Sequence, residues 1–222
     1  MLAIAHTALA QTIPTQSQIT PGISVVGQGI VQAQPDTARI TLGVDLTEQT
    51  LAQAQSDAAQ QMAAVVDKLK ASGIADTDIR TVGYNVTPQY DQSGNSRGYE
   101  VQNLVEVRTT NVSGLGTLID DAVGAGATRV YGITFEASNM EALKSQARDQ
   151  AMTDAQTKAQ QLAKNAGVSL GSVTAVNESD TGGVTPVQVA PRAAAPAAAV
   201  TTPIQPGQLQ VSTTVTVVYA IQ

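Results

Sequence analysis

The sequence predicts an α+β protein, with strands in a mixed or antiparallel sheet, two long helices and one short helix. Two patterns support this fold class. In several segments apolar residues alternate with polar ones, which is typical of strands with one buried face, and elsewhere they recur at the spacing of an amphipathic helix. The chain has 222 residues, of which 42% are hydrophobic and only 3% aromatic. It is therefore long enough to bury a core, and that core must consist of Val, Ile, Leu and Ala.

Residue types that carry chemistry are scarce. The only histidine is His6 and there is no cysteine. Beyond residue 10 the chain therefore lacks the commonest general base, the commonest metal ligand and the most reactive nucleophile. The net charge of −6 argues against nucleic acid and anionic lipid as partners, because clustered Lys and Arg hold both. We expect no catalytic residue, no metal and no cofactor.

The N-terminus has the composition of a targeting segment. Residues 1–10 resemble the end of a signal peptide, and Ala8-Leu9-Ala10 fits the small-x-small cleavage rule. We interpret residues 1–10 as a signal-peptide remnant, 11–21 as a flexible lead-in and 22–222 as one domain. No apolar run reaches the roughly 20 residues that a spanning helix needs. We therefore expect an exported protein without a membrane span, located in the periplasm or secreted.

The first part of the domain is predicted to contain two strands, a helix and a hairpin. The strands lie at 23–32 and 37–46, separated by a turn at Pro35. A helix over 48–72 follows and ends at Gly73. Its apolar stripe consists of Leu51, Ala54, Ala58, Met62, Val65, Val66 and Leu69. Strands at 80–90 and 99–110 then flank a hairpin loop at 91–98.

A short helix is predicted at 113–124 and a strand at 129–137. Ser138-Asn-Met-Glu141 fits a capping box, so the longest helix is predicted to begin there and to end near Gly167. Its inner stripe consists of Met140, Leu143, Ala147, Ala151, Ala155, Ala159, Leu162 and Ala166. So many alanines permit close approach to whatever lies beneath the helix, either a sheet or another copy of the same helix.

The C-terminal part is predicted to contain a strand at 172–178, a long Ala/Pro-rich loop and a final strand at 209–221. The loop covers 179–208, where five of the nine prolines fall between Pro186 and Pro206, and we expect it to be extended and mobile. In the final strand Val211, Thr213, Val215, Val217, Tyr219 and Ile221 share one face. Residues 65–74 and 160–168 echo one another, which indicates either two βαβ-like halves or common helix-stop chemistry.

Carboxylates are the remaining candidates for catalysis or metal binding. Asp76 and Asp78 flank Thr77 in a turn, and Asp120 and Asp121 are adjacent on the short helix. Paired acids can hydrolyse glycosides or bind Ca²⁺, but turn formers belong before a strand and adjacent helical residues point about 100° apart. We therefore interpret both pairs as turn or surface acids.

Two glycine pairs and one acidic loop have structural explanations. The segment 91–94 is a hairpin turn and not a calcium loop, because it lacks an acidic series and a closing Glu. The glycines at 27 and 29 are attributed to a bulge and those at 124 and 126 to a helix stop, since neither pair continues as a phosphate-binding motif.

The tyrosines Tyr84, Tyr90 and Tyr99 flank the predicted hairpin. Packing within the sheet is one interpretation of these residues. A tyrosine-bearing edge that anchors a partner or a neighbouring subunit is the other.

The order of these elements, together with several local signatures, resembles the SIMPL-domain family, which includes the periplasmic immunogenic protein group. The matching stretches are Ile23–Gly29, Pro35–Val44, Gly73–Tyr90, Leu118–Val123, Gly126-Ala127, Gly132–Phe135, the Ala-rich helix and Pro206–Val211. The resemblance implies an exported α+β protein without a catalytic motif. It also implies large ring-like or cage-like homo-oligomers, which some relatives form, and a loose association with envelope stress.

Together these observations favour a non-enzymatic envelope protein that assembles with itself, with an envelope protein as a further possible partner. A monomeric ligand- or protein-binding module that uses the 179–208 loop is the alternative. A carboxylate hydrolase, acting through Asp78 or Asp121, is a third hypothesis.

Overall fold

The computed structural model describes residues 22–179, 184–187 and 202–222. The expected signal-peptide remnant and lead-in therefore lie outside the described residues, as does most of the segment 179–208. The strands are β1 (Gly22–Ala33), β2 (Thr37–Glu48), β3 (Ile79–Tyr90), β4 (Ser96–Thr109), β5 (Arg129–Glu136), β6 (Leu170–Ser179), β7 (Val184–Val187) and β8 (Gln208–Ile221). The helices are α1 (Leu51–Ala71), α2 (Leu115–Gly124) and α3 (Met140–Ala166). The predicted α+β fold class is confirmed.

The strands form two sheets. Sheet I has the order β3-β4-β2-β5, with every neighbouring pair antiparallel. β2 and β3 run parallel to each other, because both are antiparallel to β4, and α1 connects them. β4 and β5 likewise run parallel to each other, because both are antiparallel to β2, and α2 connects them. Sheet I and its two helices are thus two interleaved split βαβ units.

One apolar core joins α1 and α2 to one face of sheet I. Its fully buried members include Ile40, Leu42, Val65, Leu69 and Leu115. The stripe on α1 is largely as predicted, with the exception of Leu51, which is 40% exposed at the first residue of the helix. α1 begins one residue after Thr50, whose side chain accepts a hydrogen bond from the Gln53 N–H.

Sheet II has β8 at its centre. β1 pairs with one edge of β8, while β6 and β7 pair with successive parts of the other edge, all antiparallel. The predicted inner face of β8 is confirmed up to Tyr219, and Ile221 is more exposed at the strand end. α3 packs across β1 and β8 on one face of this sheet.

The alanine stripe of α3 packs on a sheet and not on another helix. Ala147, Ala151 and Ala155 are fully buried, and the backbone of α3 passes directly over Gly27 and Gly29. A Cβ on either glycine would lie well inside van der Waals contact of a carbonyl oxygen of α3. The pairing of β1 with β8 runs without a register shift from Gly22 to Ala33, so the predicted bulge is wrong and the glycines make room for the helix.

Three details of α3 and its start differ from the predictions. Near the C-terminal end of the helix the stripe shifts by one residue: Ala163 is buried, whereas Leu162 is 48% exposed and Ala166, also predicted to face inward, is exposed. The capping box does not form: the N-cap is Asn139, with no side-chain capping bond. Ser138 instead donates its N–H and Oγ–H to the Asp36 carboxylate, at 2.8 and 2.6 Å, so it joins the end of β5 to the β1–β2 turn.

The two echoing segments lie in different surroundings. The first ends α1 within sheet I, whereas the second ends α3, which connects β5 of sheet I to β6 of sheet II. The echo therefore reflects helix-stop chemistry, with Gly73 and Gly167 both at positive φ, and not two copies of a βαβ unit.

The segment 179–208, predicted to be a loop, contains a strand. Val184–Val187 forms β7 and pairs with residues 208–211 of β8. Residues 180–183 and 188–201 lie outside the described part of the chain.

Candidate functional site

The acidic pair Asp76 and Asp78 is held by neighbouring basic side chains. Asp76 Oδ1 lies 2.7 Å from Lys70 Nζ, and Asp78 Oδ1 lies 3.7 Å from Arg108 Nη1. The hydrogen bond to Asp76 is the main cause that raises the pKa of Lys70. Each acid therefore pairs with a different element around the turn, and the two do not converge on a common point.

Asp120 and Asp121 also point to different partners. The Asp121 carboxylate lies 3.2 Å from Lys68 Nζ and accepts a hydrogen bond from Ser72 Oγ at 3.0 Å; the Lys68 contact is the main cause that lowers its pKa. Asp120 accepts the N–H and Oγ–H of Thr202 at 3.1 and 2.6 Å. Asp120 therefore fastens residue 202 to α2, whereas Asp121 joins α1 to α2.

Asp91 organises the β3–β4 turn. Its carboxylate accepts the Ser93 and Asn95 N–H groups at 2.8 and 2.9 Å and the Asn95 side-chain amide at 3.0 Å. These bonds lower the pKa of Asp91, and the bond from the Asn95 side chain has the largest effect. This is the predicted hairpin turn. Among the described residues there is no group of three or more His, Cys, Asp or Glu side chains placed to share a metal ion.

Two clefts flank the loop between β4 and α2. The first, of about 520 Å³, lies between the end of α1 and the start of α2. It is lined by polar groups that include Lys68, Thr109, Asn111 and Asp121. The second cleft has a volume of about 510 Å³, and its lining includes Ile204 and Pro206. These two residues come shortly after Thr202, which hydrogen-bonds to Asp120 of α2.

The β3–β4 hairpin carries the three tyrosines singled out above. Tyr84 is 55% and Tyr90 62% exposed, whereas Tyr99 is half-buried against the core of sheet I. Packing therefore accounts for Tyr99, and two large aromatic side chains project from the strand at the edge of the sheet. Val82, on the same strand, is 44% exposed.

No strand of the described part of the chain pairs with the outer edge of β3. Its extensive packing is with β4 alone among the described elements. Pro88 has no N–H and pairs with Tyr99, so this pair is of the non-hydrogen-bonded kind. Register is continuous from Gly83 to Gln89, so every second residue before Pro88 forms the same kind of pair. Tyr84 and Val86 therefore direct both their N–H and C=O groups away from β4, to the outer edge.

The chain matches a known family over almost its whole described length. The family model SIMPL, described as "Protein of unknown function (DUF541)", matches residues 23–219. The chain belongs to the SIMPL family. The matched region begins at Ile23 in β1 and ends at Tyr219 in β8, and these two residues are direct cross-strand partners. Both ends of the SIMPL domain therefore meet in sheet II.

The relatives of this SIMPL chain have names that give no activity, and one of the names gives a location. It is 32% identical over 127 residues to the 26 kDa periplasmic immunogenic protein of Brucella melitensis, covering 54% of this chain and 51% of that protein. It is 31% identical over 120 residues to the uncharacterized protein YggE of Escherichia coli K12, covering 53% and 49%. The aligned part thus spans about half the length of these relatives. No helix among the described residues is long and apolar enough to cross a membrane.

Side chains of α3 cover one sheet edge of the SIMPL domain, a feature absent from the predictions made from the sequence. At the outer edge of β1, Asp154 Oδ2 accepts the Gln28 N–H at 2.8 Å and Gln150 Oε1 accepts the Ile30 N–H at 3.1 Å. Lys158 Nζ donates to the Val26 carbonyl at 2.9 Å and to Asp154 at 2.6 Å. The polar series 150, 154 and 158 at helical spacing was the available signal. This edge is closed to strand addition, unlike that of β3.

Proposed function

We propose that this SIMPL chain is a non-catalytic, exported module of the cell envelope that assembles with copies of itself and serves a scaffold or protective role under envelope or oxidative stress. The open edge of β3, with exposed Tyr84 and Tyr90, is the observation that carries the proposal. An exposed strand edge is a template for pairing with another chain, and tyrosines are frequent anchors of interfaces. Closed homo-oligomers satisfy such edges.

The contacts of the acidic side chains support a role without catalysis. Each acid considered as a catalyst bonds to a neighbouring side chain or turn, and none is left facing its pair. A hydrolase of the usual two-carboxylate kind needs both acids at one scissile bond, and the partners of Asp120 and Asp121 lie on different segments.

Export is supported by the composition of residues 1–10 and by the name of the Brucella relatives, which places those proteins in the periplasm. The stress role rests on the family resemblance alone. A fusion of residues 1–21 to a reporter that is active only after export tests the location.

Native mass spectrometry of the full chain tests self-assembly. We expect the wild-type chain to form a multiple of its 22.8 kDa mass. The double variant Tyr84→Lys/Tyr90→Lys should give smaller particles, because charged lysines on an edge oppose strand pairing. Val123→Lys, at a residue that is 51% exposed on α2, is the matched control and should leave the particle unchanged. Unchanged particles in the tyrosine variant would remove the β3 edge from the proposal.

The cleft between α1 and α2 favours a second candidate, a monomeric module that binds a ligand or a protein and uses the 179–208 segment. Its lining of Thr, Asn and Ser groups with one Lys–Asp pair suits a small uncharged polar molecule. Glucose and maltose are the probes, and binding is followed as a shift in the thermal unfolding temperature. A shift that Asp121→Asn abolishes, in a chain that stays monomeric, would favour this candidate over self-assembly. Replacing 188–201 by a Gly/Ser linker of equal length tests whether that segment takes part.

A further inference from the structure

The face of sheet II opposite α3 has an unusual composition. By the pairing register, β1, β8 and β6 direct alternate residues to this outer face. These residues are Ser24, Val26, Gln28, Ile30 and Gln32 of β1; Gln210, Ser212, Thr214, Thr216, Val218 and Ala220 of β8; and Ala175, Asn177 and Ser179 of β6. None of them is charged. The chain as a whole carries 12 basic and 18 acidic residues, so charge is kept away from this face.

The outer face of sheet I shows the opposite pattern. There Arg39 pairs with both Glu106 and Glu136, Arg80 also pairs with Glu106, and Arg129 pairs with Asp45. A solvated sheet face of this chain is thus built with ion pairs. The outer face of sheet II differs from this pattern, and exposure to solvent alone does not explain why it has no charged residue.

No described element covers the outer face of sheet II. α3 lies on the other side, against Val25, Val215 and Val217. On the outer side Val26 is 47% and Ile30 50% exposed, and Val218 lies beside Ser24 in the pairing of β1 with β8. The methyl groups of Thr214 and Thr216 add further apolar surface between them.

We propose that this face packs against the same face of a second copy of the chain, about a two-fold axis. The inference rests on the proposed self-assembly and names the surface through which two copies meet. In a two-fold interface each residue near the axis meets itself, so any charge there would face a like charge. A face free of charge satisfies that condition, and face-to-face packing of twisted sheets is a common arrangement.

The area of the face agrees with a stable dimer. Twelve paired residues of β1 and β8, at about 3.4 Å each, give a length of roughly 40 Å, and three strands about 4.8 Å apart give a width of roughly 14 Å. Two such faces bury about 1,100 Å² in total, close to the lower end of the range for specific interfaces. The Asp154–Lys158 pair at the β1 edge would lie at the rim, where charge is tolerated.

Single cysteines test the proposal directly, because the chain has none of its own and any cross-link must join two copies. Thr216→Cys lies on the central strand of the face, and Thr157→Cys lies on the exposed side of α3 as the matched control. We expect a short bismaleimide to cross-link the first variant to a dimer and to leave the control as single chains. Thr216→Lys should reduce the mass of the assembled particle by about twofold or more, whereas Thr216→Ser should not.

The outcomes separate this inference from the proposed function. A wild-type chain that assembles, with no cross-link in the Thr216→Cys variant and no effect of Thr216→Lys, overturns the face and leaves self-assembly standing. A wild-type chain that remains a single copy overturns both. Circular dichroism of each variant confirms that the fold is retained, and the conservative cysteine variant keeps the test decisive should the lysine variant fail to fold.

Discussion

Gly29 of β1 lies directly beneath Ala147 of α3, so close that a Cβ on the glycine would overlap the carbonyl oxygen of the alanine. Gly27 stands in the same relation to Ala151. The long helix and the first strand of the domain therefore meet backbone to backbone. This close approach brings Gln150, Asp154 and Lys158 to the outer edge of β1, where they hydrogen-bond the backbone.

The first prediction concerns this contact. Gly29→Ala should destabilise the fold by about 1–3 kcal/mol or more, since the clash is with backbone that cannot rotate away. Gly132→Ala is the matched control, because Gly132 is also in a strand but has open space at its Cβ position. Urea unfolding of both variants measures the difference. Equal stability of the two would contradict the close approach of α3.

The second prediction concerns the sealed edge of β1. Asp154→Ala removes the acceptor for the Gln28 N–H and the ion pair with Lys158, so the Gln28 amide should exchange with solvent faster. Asp149→Ala, at an exposed position of the same helix, should leave that amide unchanged. Hydrogen exchange resolved at Gln28 provides the measurement. Protection that survives in Asp154→Ala would show that the edge does not depend on this carboxylate.

The third prediction is a pH dependence. Hydrogen bonds from Ser138 lower the pKa of Asp36 below its ordinary value of 3.8; the bond from the hydroxyl has the largest effect and the bond from the backbone N–H the next. A carboxyl whose pKa is lower in the folded state contributes stability that is present above its unfolded pKa and is lost as the pH falls through its folded pKa. Ser138→Ala should therefore raise the pKa of Asp36 and weaken the loss of stability in acid.

Titration of the Asp36 carboxyl carbon by NMR measures that change, together with urea unfolding at neutral and acid pH. Ser113→Ala serves as the control, because Ser113 bonds to Asn111 and not to an acid. An Asp36 pKa that does not move in Ser138→Ala would contradict the bond between these residues.

The fourth prediction concerns the attachment of residue 202 to α2. Thr202→Val removes the hydroxyl that donates to Asp120 at 2.6 Å and keeps the shape of the side chain. The stretch 202–206 should then detach more often, with faster hydrogen exchange there and a stability loss of about 0.5–1.5 kcal/mol. Thr157→Val is the control, because its hydroxyl donates to the Thr153 carbonyl within α3, and it should leave the exchange of 202–206 as it is.

Much of the fold follows from periodicity in the sequence. The strands β2, β3, β4 and β8 and the helices α1 and α3 were predicted within a few residues, because each carries a long pattern of one period. β7 was missed, since it has four residues, includes Pro186 and lies in an Ala/Pro-rich stretch. Such a segment has no periodic signal, and its position depends on pairing with β8.

Features that depend on distant partners were harder to predict. A glycine in a strand indicates either a bulge or the close approach of another backbone. At Gly27 the position of α3 shows that the second explanation holds. Ser138 has the sequence of a helix cap, but Asp36, distant in the chain, binds its hydroxyl instead. Among the candidate interface tyrosines, exposure distinguishes Tyr84 and Tyr90 from Tyr99. Tyr84 and Tyr90 lie on the edge strand β3, whereas Tyr99 lies on the interior strand β4, and strand order depends on pairing between distant segments. The interface role itself stays a prediction.

The mass of the purified full chain, measured by native mass spectrometry at micromolar concentration, shows whether the chain assembles with copies of itself. We expect a closed particle whose mass is a whole multiple of 22.8 kDa and which dissociates when lysine is introduced at Thr216 or at Tyr84 and Tyr90. A single-chain mass for the wild type at every concentration would contradict it.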